Sequence, residues 1–542
     1  MTTTRVRDDA TATSTSSELT GTASLTRFVL RRDWLRILIW IAAIVVLVVA
    51  TVVSLRGLYP TRADLLVAAK ASEGNAAAIA FNGPAQALDT LGGQVAFQTG
   101  AFGLVVVGLM SLMMIGRLTR GEEEAGRLEL LRSLPIGPHA PTAAALITVA
   151  GMDVIVGVLV TLTLLSQNLP AAGSVAFGMS FTLVGLLFAA VAMVAAQVSA
   201  NTRVAYGIAG GVLGAAFVLR AVGDIGDGTI SWLSPIGWAQ KTRPFAGEQW
   251  WPFLVIVAFT AALVLVAGVL SRRRDLGGGL AAPRRGRAHA TPGLGRPVGL
   301  ALRLQRGALV GWSVGLLLTG VAYGSIADSV NDFVKDNKTL TDLIAARGGA
   351  NLADAYLAMS FRILAIAAAG FAIQSALRIR SEETGLHAEQ ILATAVSRTR
   401  WAASHLTMAF GGTVIVLAVT GLSVGVSDAA VTGDVDVVTK SLGAALAYAP
   451  AIWLLAALTV ALVGLAPRAV GLSWGLLAVC FVIGMFGQLL ELPQWVSDVS
   501  PFQHVPQLPA ADLTLAPLLV LTAIAAVLTV AGLVGLRRRD IG

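Results

Sequence analysis

The 542-residue sequence contains only one cysteine, Cys480. A single cysteine excludes an internal disulfide and any CxxC metal or redox site. Cys480 lies inside an apolar run, where a thiol most often serves as a small buried packing residue. The fold therefore has to be stabilised without an internal disulfide or a CxxC metal site.

Charge is also scarce. Asp, Glu, Lys and Arg make up 13% of the chain, about half of the roughly 25% usual in soluble domains. The hydrophobic fraction is 56%, and the charges form short clusters between apolar runs of roughly 20 residues, the length of a membrane-crossing helix. The sequence therefore predicts an all-α integral membrane protein. Because the basic residues flank apolar runs and form no stripe with aromatics, we expect the lipid bilayer as a partner and no nucleic acid.

About twelve transmembrane helices are predicted, with odd-numbered ones leading out of the cytoplasm. Their approximate ranges are 36–56, 97–116, 140–165, 174–199, 204–222, 252–271, 308–326, 357–377, 402–426, 441–465, 469–490 and 514–536. Most arginines, including the runs Arg272–Arg274 and Arg537–Arg539, then face the cytoplasm, in agreement with the positive-inside rule. Both termini are expected in the cytoplasm.

Two halves of the chain share landmarks in the same order. Five residues after the second span recur 260 positions later: Arg120, Glu122, Glu123, Glu129 and Leu131 correspond to Arg380, Glu382, Glu383, Glu389 and Ile391. Ser234-Pro235 recurs as Ser500-Pro501, and the closing segment 272–277 recurs as 537–542. This order predicts two tandem, parallel six-helix repeats.

The domain prediction follows from these landmarks. Residues 1–23 are rich in Thr, Ser and Ala and are expected to form a disordered cytoplasmic tail. Residues 24–275 form the first transmembrane half and begin with an amphipathic surface helix, Ser24–Trp34. Residues 276–299 form a flexible basic linker, and residues 300–542 form the second transmembrane half.

The segment Arg117–Gly137 (RLTRGEEEAGRLELLRSLPIG) lies between two predicted spans on the cytoplasmic side. Glu122 and Glu129 are two helical turns apart, which predicts one acidic amphipathic helix that ends before Pro135. Acidic residues run against the basic bias of cytoplasmic loops, and the same pattern occurs in both halves. We therefore interpret the segment as a docking element for a soluble partner rather than as a solvated loop.

Residues 24–542 resemble the membrane subunit of a type-2 ABC exporter. More narrowly, they resemble the fused two-half actinobacterial permeases of polyketide-antibiotic (tetronasin-like) export. The resemblance is carried by GEEEAGRLELLRSLPIG (121–137), by SEETGLHAEQILATAVSR (381–398) and by the Ser-Pro pair before the last span of each half. It implies location in a bacterial plasma membrane and a cytoplasmic P-loop ATPase, a homodimer per chain, that binds ATP and Mg. It also implies that the acidic segments are coupling helices seated on that ATPase, and that Ser24–Trp34 is the connecting helix.

The two acidic segments differ in ways that predict unequal docking. Gly385 lies one position earlier than Gly126 would predict, and Ala395 stands where the first copy has Pro135.

The sequence carries no nucleotide-binding or hydrolytic motif. No GxxxxGK[ST] and no HExxH occurs, so the chain itself is expected to be neither an enzyme nor the holder of a cofactor or metal. GxSxG matches lie inside predicted spans, where packing is the better interpretation. Small-xxx-small helix packing is expected for the pairs Gly207/Gly211, Gly210/Gly214, Gly311/Gly315 and Gly421/Gly425.

Ionisable and amide side chains inside predicted spans are candidates for a transport path, because burying them in a membrane is costly. Asp153 is an acid near the centre of span 140–165, and Gln197, Gln374 and Gln488 are weaker candidates. Contact of Asp153 with cargo or a proton and pairing to a neighbouring helix are both open.

The leading hypothesis is the permease subunit of an ATP-driven exporter of amphipathic or hydrophobic small molecules, such as an antibiotic, a drug or a lipid. One alternative is an ion- or proton-coupled secondary transporter that uses Asp153. A second alternative is a membrane sensor or scaffold.

Overall fold

The computed structural model describes residues 18–72, 76–132, 135–274, 278–280, 289–335, 352–486, 493–539. Across these ranges the chain is helical, with 3-10 turns and loops and no β-strand. The protein is therefore an all-α integral membrane protein, as predicted. It divides into two compact units, Met1–Arg285 and Gly286–Gly542, and the division falls inside the segment 276–299.

Unit 1 contains eleven α-helices in its described part. They are α1 Thr22–Leu58, α2 Arg62–Ser72, α3 Ala76–Asn82, α4 Leu91–Leu118, α5 Arg120–Glu124, α6 Arg127–Arg132, α7 Ala140–Ser166, α8 Ala171–Val198, α9 Thr202–Ile225, α10 Pro235–Gln240 and α11 Trp251–Ser271.

Helices α4 and α8 form the centre of unit 1, with most of their length buried, whereas α1 and α11 expose most of theirs. The two central helices approach closely because glycines on α4 leave room for phenylalanines on α8. A Cβ at Gly103 would collide with the Phe181 ring, and a Cβ at Gly108 would collide with Phe188. Small residues opposite large ones let helices pack tightly in lipid, where burial of apolar surface does not drive association.

Unit 2 contains nine α-helices in its described part. They are α12 Pro297–Lys335, α13 Leu352–Thr384, α14 His387–Leu392, α15 Arg398–Thr432, α16 Asp436–Leu446, α17 Ala449–Leu465, α18 Leu472–Phe486, α19 Gln494–Ser497 and α20 Leu515–Arg538.

The centre of unit 2 is formed by α13 and by the α16–α17 pair, both largely buried. Glycines again set the closest approaches. Gly464 on α17 lies so close to Gly532 on α20 that a Cβ on either would meet the other helix's backbone. Gly421 and Gly425 pack against α16, which confirms the prediction for that pair. The other three predicted pairs meet nothing within 4 Å of an added Cβ among the described residues.

Eleven helices of the described chain are long and apolar enough to cross a membrane. They agree with eleven of the twelve predicted spans. The remaining predicted span, 469–490, corresponds to α18 with its 15 residues, and its last residues, 487–490, lie outside the described ranges.

The amphipathic segment Ser24–Trp34 and the first span are one continuous helix, α1, of 37 residues. Near the end of that segment the sequence carries Asp33, which is 2% exposed. Arg32, Arg36 and Arg117 all pair with the Asp33 carboxylate within 2.9 Å. Neutralisation of this acid by three arginines removes the polar break that would otherwise separate a surface helix from a span.

Candidate functional site

The loop between α4 and α7 holds the first acidic segment. The prediction of one continuous helix there is wrong: α5 ends at Glu124, α6 begins at Arg127, and Gly126 adopts a left-handed conformation with φ of +69°. Glycine takes that conformation readily, so the chain turns at this position. The turn separates Glu122 from Glu129: the first is buried and the second is exposed, so they do not share a face.

Glu123 is the centre of a buried ion-pair network in unit 1. Arg274, just after α11, donates two hydrogen bonds to its carboxylate, at 2.6 Å and 3.0 Å. Arg120 donates a third at 2.6 Å and also contacts the Ala196 carbonyl at the end of α8. Arg274 further donates to Gln197 at 2.6 Å. One carboxylate thus joins the loop to the ends of α8 and α11.

Glu122 forms a second network that connects the loop to α1. Arg32 on α1 pairs with its carboxylate at 3.0 Å, and Arg127 on α6 pairs with it at 2.7 Å. Hydrogen bonding to this carboxylate raises the pKa of Arg127 above its usual value. The Glu124 carboxylate accepts the backbone N–H of Thr202 at 2.6 Å, at the start of α9. Three consecutive glutamates therefore bind three different membrane helices.

Unit 2 contains a corresponding network. Arg380 donates to Glu383 at 2.9 Å, and Arg539, just after α20, donates to the same carboxylate oxygen at 2.6 Å. Glu382 differs from Glu122, because its partners are Arg378 on the same helix at 2.5 Å and His387 at 3.8 Å. The network of Glu383 joins the loop to the last helix, as in unit 1, whereas the partners of Glu382 among the described residues are local.

The predicted coupling residues therefore divide into two groups. The side chains of Arg120, Glu122, Glu123, Glu382 and Glu383 are at most 10% exposed, and that of Arg380 is 30% exposed. Glu129 and Glu389 are exposed to solvent, and Ile391 is half-buried. The α6 backbone includes Leu131, but its side chain lies outside the described residues.

Sequence reasoning missed Arg274 and Arg539 as partners of the loop glutamates. Their runs were interpreted as signals of membrane orientation and as a landmark of the repeat, and neither role requires a particular ion pair. A usable signal was present: each half pairs a Glu-Glu motif with one closing Arg-Arg-Arg motif, at nearly equal offsets.

The candidate transport-path residues lie in different surroundings. Asp153 is fully buried on α7, where Ser111 on α4 donates to one carboxyl oxygen at 2.7 Å. The other oxygen has no hydrogen-bond partner among the described residues. Gln197 belongs to the Arg274 network, and it lies 12 residues along α8 from Gly185, which contacts Asp153. That separation is about 18 Å along a helix, so the two residues do not form one site.

The remaining candidates belong to unit 2. Gln374 accepts a hydrogen bond from Trp312 at 2.7 Å on an exposed surface. Gln488 lies outside the described residues. Within the described ranges no group of three or more His, Cys, Asp or Glu residues could hold a metal ion.

Comparisons with known proteins relate this architecture to a family. Residues 294–537 match the family described as "Multidrug efflux system permease Rv1217c, C-terminal domain". The chain is similar to the multidrug efflux system permease protein Rv1217c of Mycobacterium tuberculosis (strain ATCC 25618 / H37Rv). The two are 41% identical over 528 residues, which cover 97% of this chain and 96% of that protein. The described part of the chain has eleven candidate membrane-spanning helices, and the similarity covers nearly the full length of both proteins. The chain belongs to the family of multidrug efflux system permeases.

Proposed function

We propose that this chain is the transmembrane permease subunit of an ATP-driven ABC exporter, and that a separate cytoplasmic P-loop ATPase hydrolyses the ATP. The cargo is an amphipathic or hydrophobic small molecule such as an antibiotic, a drug or a lipid. The main support is the pair of buried networks in which Glu123 and Glu383 bind the last helix of each unit through Arg274 and Arg539. A loop anchored in this way can transmit a displacement of a soluble partner to the membrane helices.

Within each loop, the exposed and the buried side chains have different proposed roles. The exposed side chains, Glu129 on α6 and Glu389 with Leu386 beside α14, are free to contact the ATPase. The buried carboxylates make the loop rigid, since a buried charge that loses its partner is costly. Closure of the ATPase dimer would then displace α11 and α20 along with the loops, and the resulting change in populations opens the path outward.

We also propose the polarity of the complex. Both termini and both networks face the cytoplasm, because the arginines cluster at that end of the helices, and ATP and Mg are bound by the partner. The ATPase is a homodimer per chain, since each chain carries two loops. The two-half arrangement and the acidic loops also support a fused, tetronasin-like permease of a bacterial plasma membrane, built as tandem repeats.

The test is copurification of the full-length chain with the native ATPase in mild detergent. Reversal of the exposed charges, Glu129→Lys with Glu389→Lys, is expected to release the ATPase while the chain still elutes as a folded monodisperse species. Asp512→Lys is the matched control, because Asp512 is exposed just before α20, at the opposite end of that helix from Arg539. Retention of the ATPase by the double reversal, or elution of the wild type without any P-loop protein, would refute the proposal.

Replacement of the two closing arginines gives a complementary double variant. Arg274→Gln with Arg539→Gln is expected to keep the ATPase bound through the exposed side chains but to uncouple ATP hydrolysis from cargo transport. Loss of the ATPase together with loss of the folded chain would instead show that these arginines only stabilise the units.

One observation supports a second candidate, proton-coupled transport. The buried carboxyl oxygen of Asp153 that lacks a partner among the described residues is the kind of group that proton-coupled transporters use. Transport by vesicles that contain the chain alone, driven by a proton gradient without ATP, would favour this candidate over the first.

A further inference from the structure

A cavity of about 200 Å³ lies at the end of unit 2 opposite the Glu383 network. It is bounded by the beginning of α13, the end of α15 and the first turns of α16. Its polar lining residues are Asp354, Asp428, Thr432, Asp434, Lys440 and Ser441. Along α13, Asp354 and Glu382 are separated by 28 residues, about 42 Å at the helical rise per residue. The cavity and the network therefore lie on opposite sides of the membrane-spanning region.

The charge around this cavity is negative. Asp354 and Asp434 line it against Lys440, so with these three groups ionised their net charge is 1 − 2 = −1. Asp434 is held in place because its carboxylate accepts the backbone N–H of Asp436 at 3.0 Å. A concave site lined by charges of mainly one sign concentrates ions of the opposite sign. The cavity therefore favours a cationic group.

The Ser441 hydroxyl provides an observation independent of the aspartates. Ser441 lines the cavity and is 1% exposed, and its hydroxyl has no hydrogen-bond partner within the described chain. Buried polar groups almost always have a partner. An unpartnered hydroxyl at the wall of a cavity indicates that a bound group completes its hydrogen bonding.

Size and lining narrow the ligand class further. Pockets for drug-sized ligands usually measure about 300–1,000 Å³, so about 200 Å³ accommodates a head group and not a whole molecule. Leu357, Val437 and Pro509 provide an apolar wall beside the aspartates. Metal binding is disfavoured, because no suitable group of ligands exists among the described residues. An ammonium group with a short alkyl chain matches both kinds of wall.

We propose that this cavity binds the ammonium end of amphipathic organic cations. Asp354 and Asp434 make ionic contacts with the ammonium group, which donates a hydrogen bond to the Ser441 hydroxyl oxygen. The first carbons of the ligand lie against Leu357 and Val437. Lys440 competes with the ligand for the same carboxylates and so weakens binding. The proposal depends on the proposed function only for placing the cavity on the outer side of the membrane.

The experiment is calorimetric titration of the full-length chain in lipid nanodiscs with hexylammonium. Asp354→Asn and Asp434→Asn are each expected to weaken binding about twofold to fivefold, as loss of one partly exposed charge predicts. Lys440→Gln is expected to strengthen binding by a similar factor. Because the Asp→Asn variants weaken binding and Lys440→Gln strengthens it, misfolding cannot explain both changes. Asp436→Asn is the matched control: Asp436 is exposed two residues from Asp434 but does not line the cavity.

Hexanoate, hexanol and Ca²⁺ are titrated in parallel. The proposal predicts that hexanoate and hexanol bind at least tenfold more weakly than hexylammonium. Binding of Ca²⁺ with the same dependence on Asp354 and Asp434 would overturn it in favour of a metal site. Absence of hexylammonium binding, or binding unaffected by either Asp→Asn variant, would overturn it too. No ATPase or transport is involved, so failure here is distinguishable from failure of the ATPase copurification.

Discussion

Replacement of Arg274 by glutamine tests the buried network of unit 1 most directly. The wild-type guanidinium donates two hydrogen bonds to Glu123, one to Gln197 and one to the Gly278 carbonyl, and its side chain is only 12% exposed. Hydrogen bonds to charged groups contribute about 1.5–3 kcal/mol each. Glu123 keeps Arg120 at 2.6 Å, so the carboxylate is not left alone. We therefore expect a loss of about 3 kcal/mol, near the lower limit for breaking a buried pair.

The equivalent change in unit 2 is expected to cost less. Arg539 makes one hydrogen bond to Glu383, where Arg274 makes two to Glu123. Arg539→Gln should therefore destabilise the protein by about 1.5–2 kcal/mol, the value of one charge-assisted bond. The residue type and the substitution are the same in both variants. A difference between their losses of stability therefore reports the different contacts of the two arginines.

The assay is the free energy of unfolding from denaturing-detergent titration of the purified chain, followed by tryptophan fluorescence. Arg273→Gln is the control, since Arg273 is an exposed neighbour in the same basic run and should change stability by less than about 0.5 kcal/mol. A double-mutant cycle with Glu123→Gln should give a coupling energy of about 2 kcal/mol. If Arg274→Gln costs no more than Arg273→Gln, or less than Arg539→Gln, the assignment of the network is refuted.

Two further predictions concern the membrane interior. Asp153→Asn should preserve stability within about 1 kcal/mol and preserve efflux, because an amide oxygen still accepts the Ser111 hydroxyl. Complete loss of efflux with normal expression would instead show that the carboxyl takes part in transport. Gly421→Ala should destabilise the protein by about 1–3 kcal/mol in the same unfolding assay, because its Cβ would overlap α16. Gly207→Ala, where nothing lies within 4 Å, should be neutral or stabilising by up to about 1 kcal/mol, and equal losses at both glycines would contradict the packing described.

The membrane-spanning architecture could be predicted from sequence because each span is a local property. A run of about 20 apolar residues has to satisfy its own backbone hydrogen bonds in lipid and so forms a helix wherever it occurs. Eleven of the predicted spans match helices for this reason. The position of Asp153 near the middle of α7 was predictable on the same basis.

The burial and ion pairing of the acidic loops could not be predicted in the same way. Burial of Glu122 and Glu123 depends on Arg32 and Arg274, which are far away in sequence, and no local pattern reports such pairing. The pair Arg120–Glu123 was predictable from its spacing, but its environment was not. A pair worth a few tenths of a kcal/mol in solvent becomes costly to break when its arginine is fully buried. The break between α5 and α6 at Gly126 was not predicted, because the helical spacing of the acidic residues favoured one continuous helix despite the single glycine.

The shared carboxylates also have a consequence for biogenesis. Glu123 leaves the ribosome 151 residues before Arg274, and Glu383 leaves it 156 residues before Arg539. At 5–20 residues per second, that interval lasts about 8–30 s. Throughout it, each acidic loop lacks the arginine that completes its network. Each unit can therefore complete this network only after its own last helix has been inserted, and a unit whose last helix fails to insert keeps a buried carboxylate without its closing arginine.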